Sequence, residues 1–183
     1  MKLIWAIITC LTVACIPLSA QDVHVEKHQF KANLLFTPSL DYEIGISNNS
    51  TLGFNLGTGL IYTTGDFRGE AYGIFLTFSP YYRYYYNFKR RIRKGKNINQ
   101  NSANYVGITS SIVPGTVVIG NIDISENYVA QIGAVYGFQR TYWKRLNLGL
   151  DFGVGYAFSN LGHSVVPILN FNLGYVFSTN KNS

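Results

Sequence analysis

Residues 146–158 read Leu146-Asn147-Leu148-Gly149-Leu150-Asp151-Phe152-Gly153-Val154-Gly155-Tyr156-Ala157-Phe158. Every even position is large and apolar, and every odd one is small or polar. A period of two is the mark of a β-strand with two unlike faces. A water-soluble sandwich buries its large face and puts Lys and Glu on the other. Here the second face is Asn147, three glycines, Ala157 and a single charged residue, Asp151. That composition suits the narrow interior of a membrane barrel, whose large residues meet lipid instead.

The same pattern extends in both directions from residue 29 onward. Phe30, Ala32 and Leu34 share a face opposite Lys31 and Asn33. Leu40, Tyr42, Ile44 and Ile46 oppose Asp41, Glu43, Gly45 and Ser47. Leu52, Phe54, Leu56 and Leu60 oppose Gly53, Asn55, Gly57 and Gly59, and Tyr72, Ile74, Leu76, Phe78, Tyr82 and Tyr84 oppose Gly73, Thr77, Ser79 and Arg83. Val106, Ile108 and Ile112 oppose Gly107, Thr109 and Ser111. Tyr128, Ile132, Tyr136 and Phe138 oppose Gln131, Gly133, Gly137 and Gln139, and Leu169, Phe171, Leu173, Tyr175 and Phe177 oppose Asn170, Asn172 and Gly174. Turn-forming clusters separate these runs at 47–50, 63–70, 89–103, 114–127, 143–145 and 159–165. Seven long segments are evident. An even number is required if both chain ends lie on one side, so a split at Thr37-Pro38-Ser39 gives eight. The expected fold is all-β, an eight-stranded antiparallel transmembrane barrel of the up-and-down kind. Pro80 interrupts a regular strand and is expected to mark a bulge or a missing ladder bond.

Composition agrees. Charged residues make up 13% of the 183 and aromatics 15%, with 14 Tyr and 12 Phe, which argues against a disordered or coiled-coil chain. Residues 1–20 read as an export signal: Lys2, an apolar run to Pro17, and the small-residue exit Leu18-Ser19-Ala20. Cys10 and Cys15 both fall inside it, so a chain cut after Ala20 has no disulfide and no thiol chemistry. The expected division is a signal at 1–20, a periplasmic tail at 21–28, the barrel at 29–178 and a short tail at 179–183. The two tightest turns place their set, with the basic stretch 89–103, in the periplasm.

The chain resembles the small eight-stranded outer-membrane barrels of Bacteroidetes-type bacteria, broadly similar to OmpA, OmpW and PagP. The residues carrying the resemblance are Leu40-Asp41-Tyr42-Glu43, the run from Ser79 to Tyr86, and the ending from Asn170 to Phe177. The resemblance implies outer-membrane location, contact with outer-membrane lipids, and recognition of the strand ending at Phe177 by the barrel-assembly machinery. Ser178–Ser183 follow Phe177, a departure from barrels that end on the aromatic.

Few residues invite chemistry. Lys31, Asp41, Glu43, Arg83 and Asp151 all sit on the inward face, and buried charges are costly unless paired. They are expected to form an ion-pair network filling the lumen, with a Glu43–Arg83 pair among its contacts. Lys89, Arg90, Arg91, Arg93, Lys94 and Lys96 form a basic turn, expected to be solvated, with a contact to lipid phosphates or a periplasmic partner as the other reading. The net charge of +6 comes largely from this stretch, and export argues against nucleic acid as its partner. His163-Ser164 suggests hydrolysis, but strand neighbours face opposite ways. His24 and His28 could share a metal only on a helix. The clusters Tyr81–Tyr86 and Tyr142-Trp143 suit interfacial girdles. No phosphate loop, zinc spacing or nucleophile elbow is present, so no cofactor is expected. The expected role is non-enzymatic, structural or surface-interacting. A small porin-like channel is the alternative, and a lipid-modifying enzyme comes third.

Overall fold

The computed structural model describes residues 24–179 apart from 36 and 66–68. The segment read as an export signal lies outside the described residues. Among the described residues the fold is all-β, an antiparallel sheet of nine strands that closes in a ring. The strands are β1 (His28–Asn33), β2 (Ser39–Gly45), β3 (Ser50–Gly65), β4 (Gly69–Tyr84), β5 (Asn104–Pro114), β6 (Ile119–Gly120), β7 (Tyr128–Tyr142), β8 (Leu146–Ser159) and β9 (His163–Thr179). Pairing runs β3-β2-β1-β9-β8-β7-β5-β4-β6, and the β3–β4 ladder joins the ends.

The count is therefore nine rather than the expected eight. The extra strand is β6, whose Gly120 and Ile119 pair with Gly73 and Ile74 of β4. Its physical origin lies in β5, which stops at Pro114, so the far part of β4 has an edge that the returning chain occupies. Pro80 causes no bulge. Register is kept from Phe78↔Ile112 to Tyr81↔Thr109, the two rungs between are missing, and the Ser110 hydroxyl donates to the Pro80 carbonyl at 2.8 Å.

Both faces are as the alternation requires. Leu56, Leu76, Ile108, Ile132, Val154 and Leu169 stand exposed on the outer face, while Lys31, Asp41, Glu43, Arg83 and Asp151 are buried. Space inside is made by missing side chains. A Cβ at Gly53 would overlap the Tyr81 ring, and one at Gly137 would lie 2.7 Å from the Tyr105 ring.

The two ends of the ring differ. One is closed by the β4–β5 connection, which folds into helix α1 (Phe88–Arg93) and a 3₁₀ turn at Asn99–Asn101. Phe88 packs there with Val25, Tyr85, Ala103 and Tyr105 in an apolar cluster. The segment before β1, expected as a tail, is docked against this plug. Val25 is buried within it, and the Glu26 amide donates to Asn101 Oδ1 at 2.8 Å. At the other end the wall is uneven. β1 and β2 have 6 and 7 residues, whereas β3 and β9 have 16 and 17. Among the described residues, 163–172 of β9 consequently bond to β8 alone, and β3 beyond Thr58 bonds to β4 alone.

Candidate functional site: a buried ion chain beneath a polar cavity

Strand register brings the inward charges to one level. Lys31 faces Asp41 across the β1–β2 ladder, and Thr51 faces Arg83 across β3–β4. The Lys31 ammonium lies 3.0 Å from Asp41 Oδ1 and 2.9 Å from Glu43 Oε2. Arg83 lies 3.9 Å from Glu43 and 3.6 Å from Asp151. The five residues expected to meet thus do so, in the order Asp41–Lys31–Glu43–Arg83–Asp151, with signs alternating along the chain.

Neutral groups complete it. Thr51 and Tyr85 each donate a hydroxyl hydrogen to Glu43 Oε1, at 2.6 and 2.7 Å. Tyr81 donates to Asp41 at 2.9 Å, and Tyr105 donates to Asp151. Gln139 Oε1 accepts from Lys31 at 3.2 Å and from Arg83 at 3.3 Å. The Arg83 guanidinium is held between two rings, 4.1 Å from the centroid of Tyr81 and 4.5 Å from that of Tyr105. Glu43 is fully inaccessible, at 0% exposure. Such a carboxylate is tolerable only because every oxygen has a donor.

Sequence reasoning missed these neutral partners. Tyr81 and Tyr85 were grouped with the interfacial aromatics, yet they share Arg83's parity and point inward. Tyr82, Tyr84 and Tyr86 alone of that run face outward. Tyr105 and Gln139 carried the same signal, since each alternates with outward-facing neighbours.

Above the ion chain lies a cavity of about 380 Å³. Its floor is Asp41, Tyr81, Arg83 and Asp151, and its walls carry side-chain amides and hydroxyls, among them Asn55, Thr77, Thr109, Gln131, Asn170 and Asn172. Lys31 and Glu43 do not line it. On the other side of the chain, towards the plug, the space is filled by side chains.

Residues 6–163 match the family described as "Protein of unknown function (DUF3575)". The chain belongs to that family. No curated protein and no solved structure matches it.

The basic stretch is helical in part: Lys89, Arg90, Arg91 and Arg93 lie on α1, and Lys94 and Lys96 follow it. Phe88 anchors the helix in the plug, which leaves the basic side chains on the outer surface of that end. Arg91 donates twice to the Asn97 carbonyl, at 3.1 and 2.8 Å, and partial burial lowers its pKa from the ordinary range. Lys27, Arg140, Lys144 and Arg145 lie at the same end, where Glu26 is the one acidic side chain among the described residues. His163 stacks on Tyr156 of the outer face, whereas Ser164 takes the opposite parity. His28 shares a hydrogen bond with the Tyr42 hydroxyl at 2.8 Å. Among the described residues no group of three metal-ligating side chains occurs.

Proposed function

We propose that the chain is an outer-membrane β-barrel with a closed lumen, serving as a non-enzymatic scaffold or surface-interaction protein of the cell envelope. The observation that carries this reading is the inverted distribution of side chains. Large apolar residues cover the outside of the ring, while five ionised ones are sequestered within it. In water that arrangement loses apolar burial and adds desolvation of charge; in a bilayer the outer face is solvated by lipid. Tyr62, Tyr72, Tyr128 and Tyr156 lie toward one end of the outer face and Tyr84, Tyr86, Tyr142 and Tyr175 toward the other, as two interfacial belts would. Closed pairing leaves no strand edge in the half of the wall that includes β1 and β2. Among the described residues no helix is long and apolar enough to cross a membrane.

In this reading the α1 end faces the periplasm, and its basic surface rests against anionic lipid headgroups, to which each cation near a charged surface contributes roughly 1 kcal/mol. The strand ending near Phe177, which pairs with β1, is the segment offered to the barrel-assembly machinery. The ion chain and the plug block passage, which favours the scaffold over the channel. Reconstitution into phospholipid vesicles tests the reading. The protein should resist alkaline extraction and migrate as a folded, heat-modifiable band. A chain that folds and stays monodisperse in buffer without detergent would contradict it.

A further inference from the structure

We propose that the polar cavity above the ion chain is a binding site for a small hydroxylated amine, of about amino-sugar size, with its ammonium group seated between Asp41 and Asp151. The inference rests on the barrel reading, in that the cavity must face water.

The chain Asp41–Lys31–Glu43–Arg83–Asp151 has two cations for three carboxylates, and both of its ends are carboxylates. Glu43, in the middle, is shared by both cations and lies out of reach of the cavity. Asp41 and Asp151 each have one cationic neighbour, and both line the cavity floor. Arg83 lines the floor as well, so two carboxylates and one guanidinium leave the cavity floor a negative formal charge.

Hydrogen-bond accounting points the same way. Asn33 is buried, and its Oδ1 has no hydrogen-bond partner. It lines a small pocket of about 10 Å³ that shares Asp41, Arg83 and Asn172 with the larger cavity. That space is about enough for one water-sized group. Asn33 Oδ1 is therefore an acceptor beside the floor with no donor of its own, and an ammonium supplies three donors and no acceptor. A carboxylate or phosphate would add charge of the wrong sign.

The walls select the rest of the ligand. The side-chain amides of Gln131, Asn170 and Asn172 make no hydrogen bond to another described residue, and each offers both donors and an acceptor. Hydroxyl groups match that offer and hydrocarbon does not. The volume of about 380 Å³ falls at the low end of small-molecule sites, roughly 300–1,000 Å³.

Titration calorimetry on refolded full-length protein in detergent micelles, at pH 6.5, tests this with three probes: glucosamine, glucose and glucose 6-phosphate. Heat-dependent gel mobility would establish that the ring is formed, so a failure to bind is separable from a failure of the barrel reading. Glucosamine should bind at least about tenfold more tightly than glucose, and glucose 6-phosphate more weakly than either. Asp151→Asn should erase the preference for glucosamine. Asn170→Leu, outside the ion chain, should keep the fold and weaken glucosamine about tenfold, which keeps the test alive if the Asp151 variant does not fold. Equal binding of glucosamine and glucose, preference for the phosphate, no binding by folded protein, or full affinity in Asn170→Leu would each overturn the proposal.

Discussion

The two halves of the ring interior are both lined with polar side chains and have opposite outcomes. Toward α1, charged and aromatic side chains meet one another: Glu43 alone engages Lys31, Arg83, Thr51 and Tyr85, and Phe88, Tyr85 and Tyr105 seal the end. Toward the long loops, shorter amides and hydroxyls line an open space. The difference is one of reach. Lys, Arg and Tyr side chains span a narrow lumen and find partners across it, whereas Asn, Ser and Thr are too short to do so. Stability should therefore reside in the first half, and the second should be free to take up a guest.

Removing a member of the ion chain is the most severe way to break this contrast. Arg83→Ala leaves Glu43 and Asp151 without one of their counter-charges, and breaking a buried ion pair costs roughly 3–5 kcal/mol. The expected readout is a large fall in the temperature at which the folded band converts to the unfolded one. A smaller loss is expected for Tyr85→Phe, which deletes a hydroxyl donor to a buried carboxylate, an interaction of about 1.5–3 kcal/mol. Denaturant titration followed by tryptophan or tyrosine emission would measure it. Gln131→Ala, on the cavity wall, should stay within roughly 0.5 kcal/mol of the parent in the same titration. If it cost as much as Tyr85→Phe, the division into a structural half and an open half would fail.

The smallest effect on stability is expected from the triple change Arg90→Gln, Arg93→Gln and Lys94→Gln on the α1 surface. Binding should change instead. Adsorption of peptides or soluble fragments is unnecessary for this, because the folded protein in neutral detergent can be mixed with vesicles rich in anionic lipid. The parent should transfer to them more readily than the variant, and the difference should shrink with added salt as charge is screened. Equal transfer at low salt would remove the lipid role from this surface.

Much of this contrast was legible in the sequence. Alternation in segments such as 146–158 placed Lys31, Asp41, Glu43, Arg83 and Asp151 on one face, and burial of charge demanded that they pair. What alternation cannot supply is height along the ring, because that depends on register and stagger between strands. The nearness of Glu43 to Arg83, and the open space above Asp151, follow from that stagger. Tyr81 and Tyr85 were within reach of the same parity argument, but a run of adjacent tyrosines reads as a belt until each is assigned a side. Helix α1 was hidden differently: it has only six residues, and the following Gly95 and Asn97 suggested an irregular turn. Its signal was the apolar pair Phe88 and Ile92 at helical spacing. Strand β6 had no local signal, since two residues pair there only because β5 stops short.

The central claim is that the lumen is closed by the ion chain and the α1 plug. Single-channel recording of heat-modifiable, refolded protein in a planar bilayer tests it most directly. A closed lumen gives no steps in current from folded, heat-modifiable protein across ordinary voltages. Reproducible conductance steps, altered by Arg83→Ala, would contradict it and make the same charged face the lining of a path.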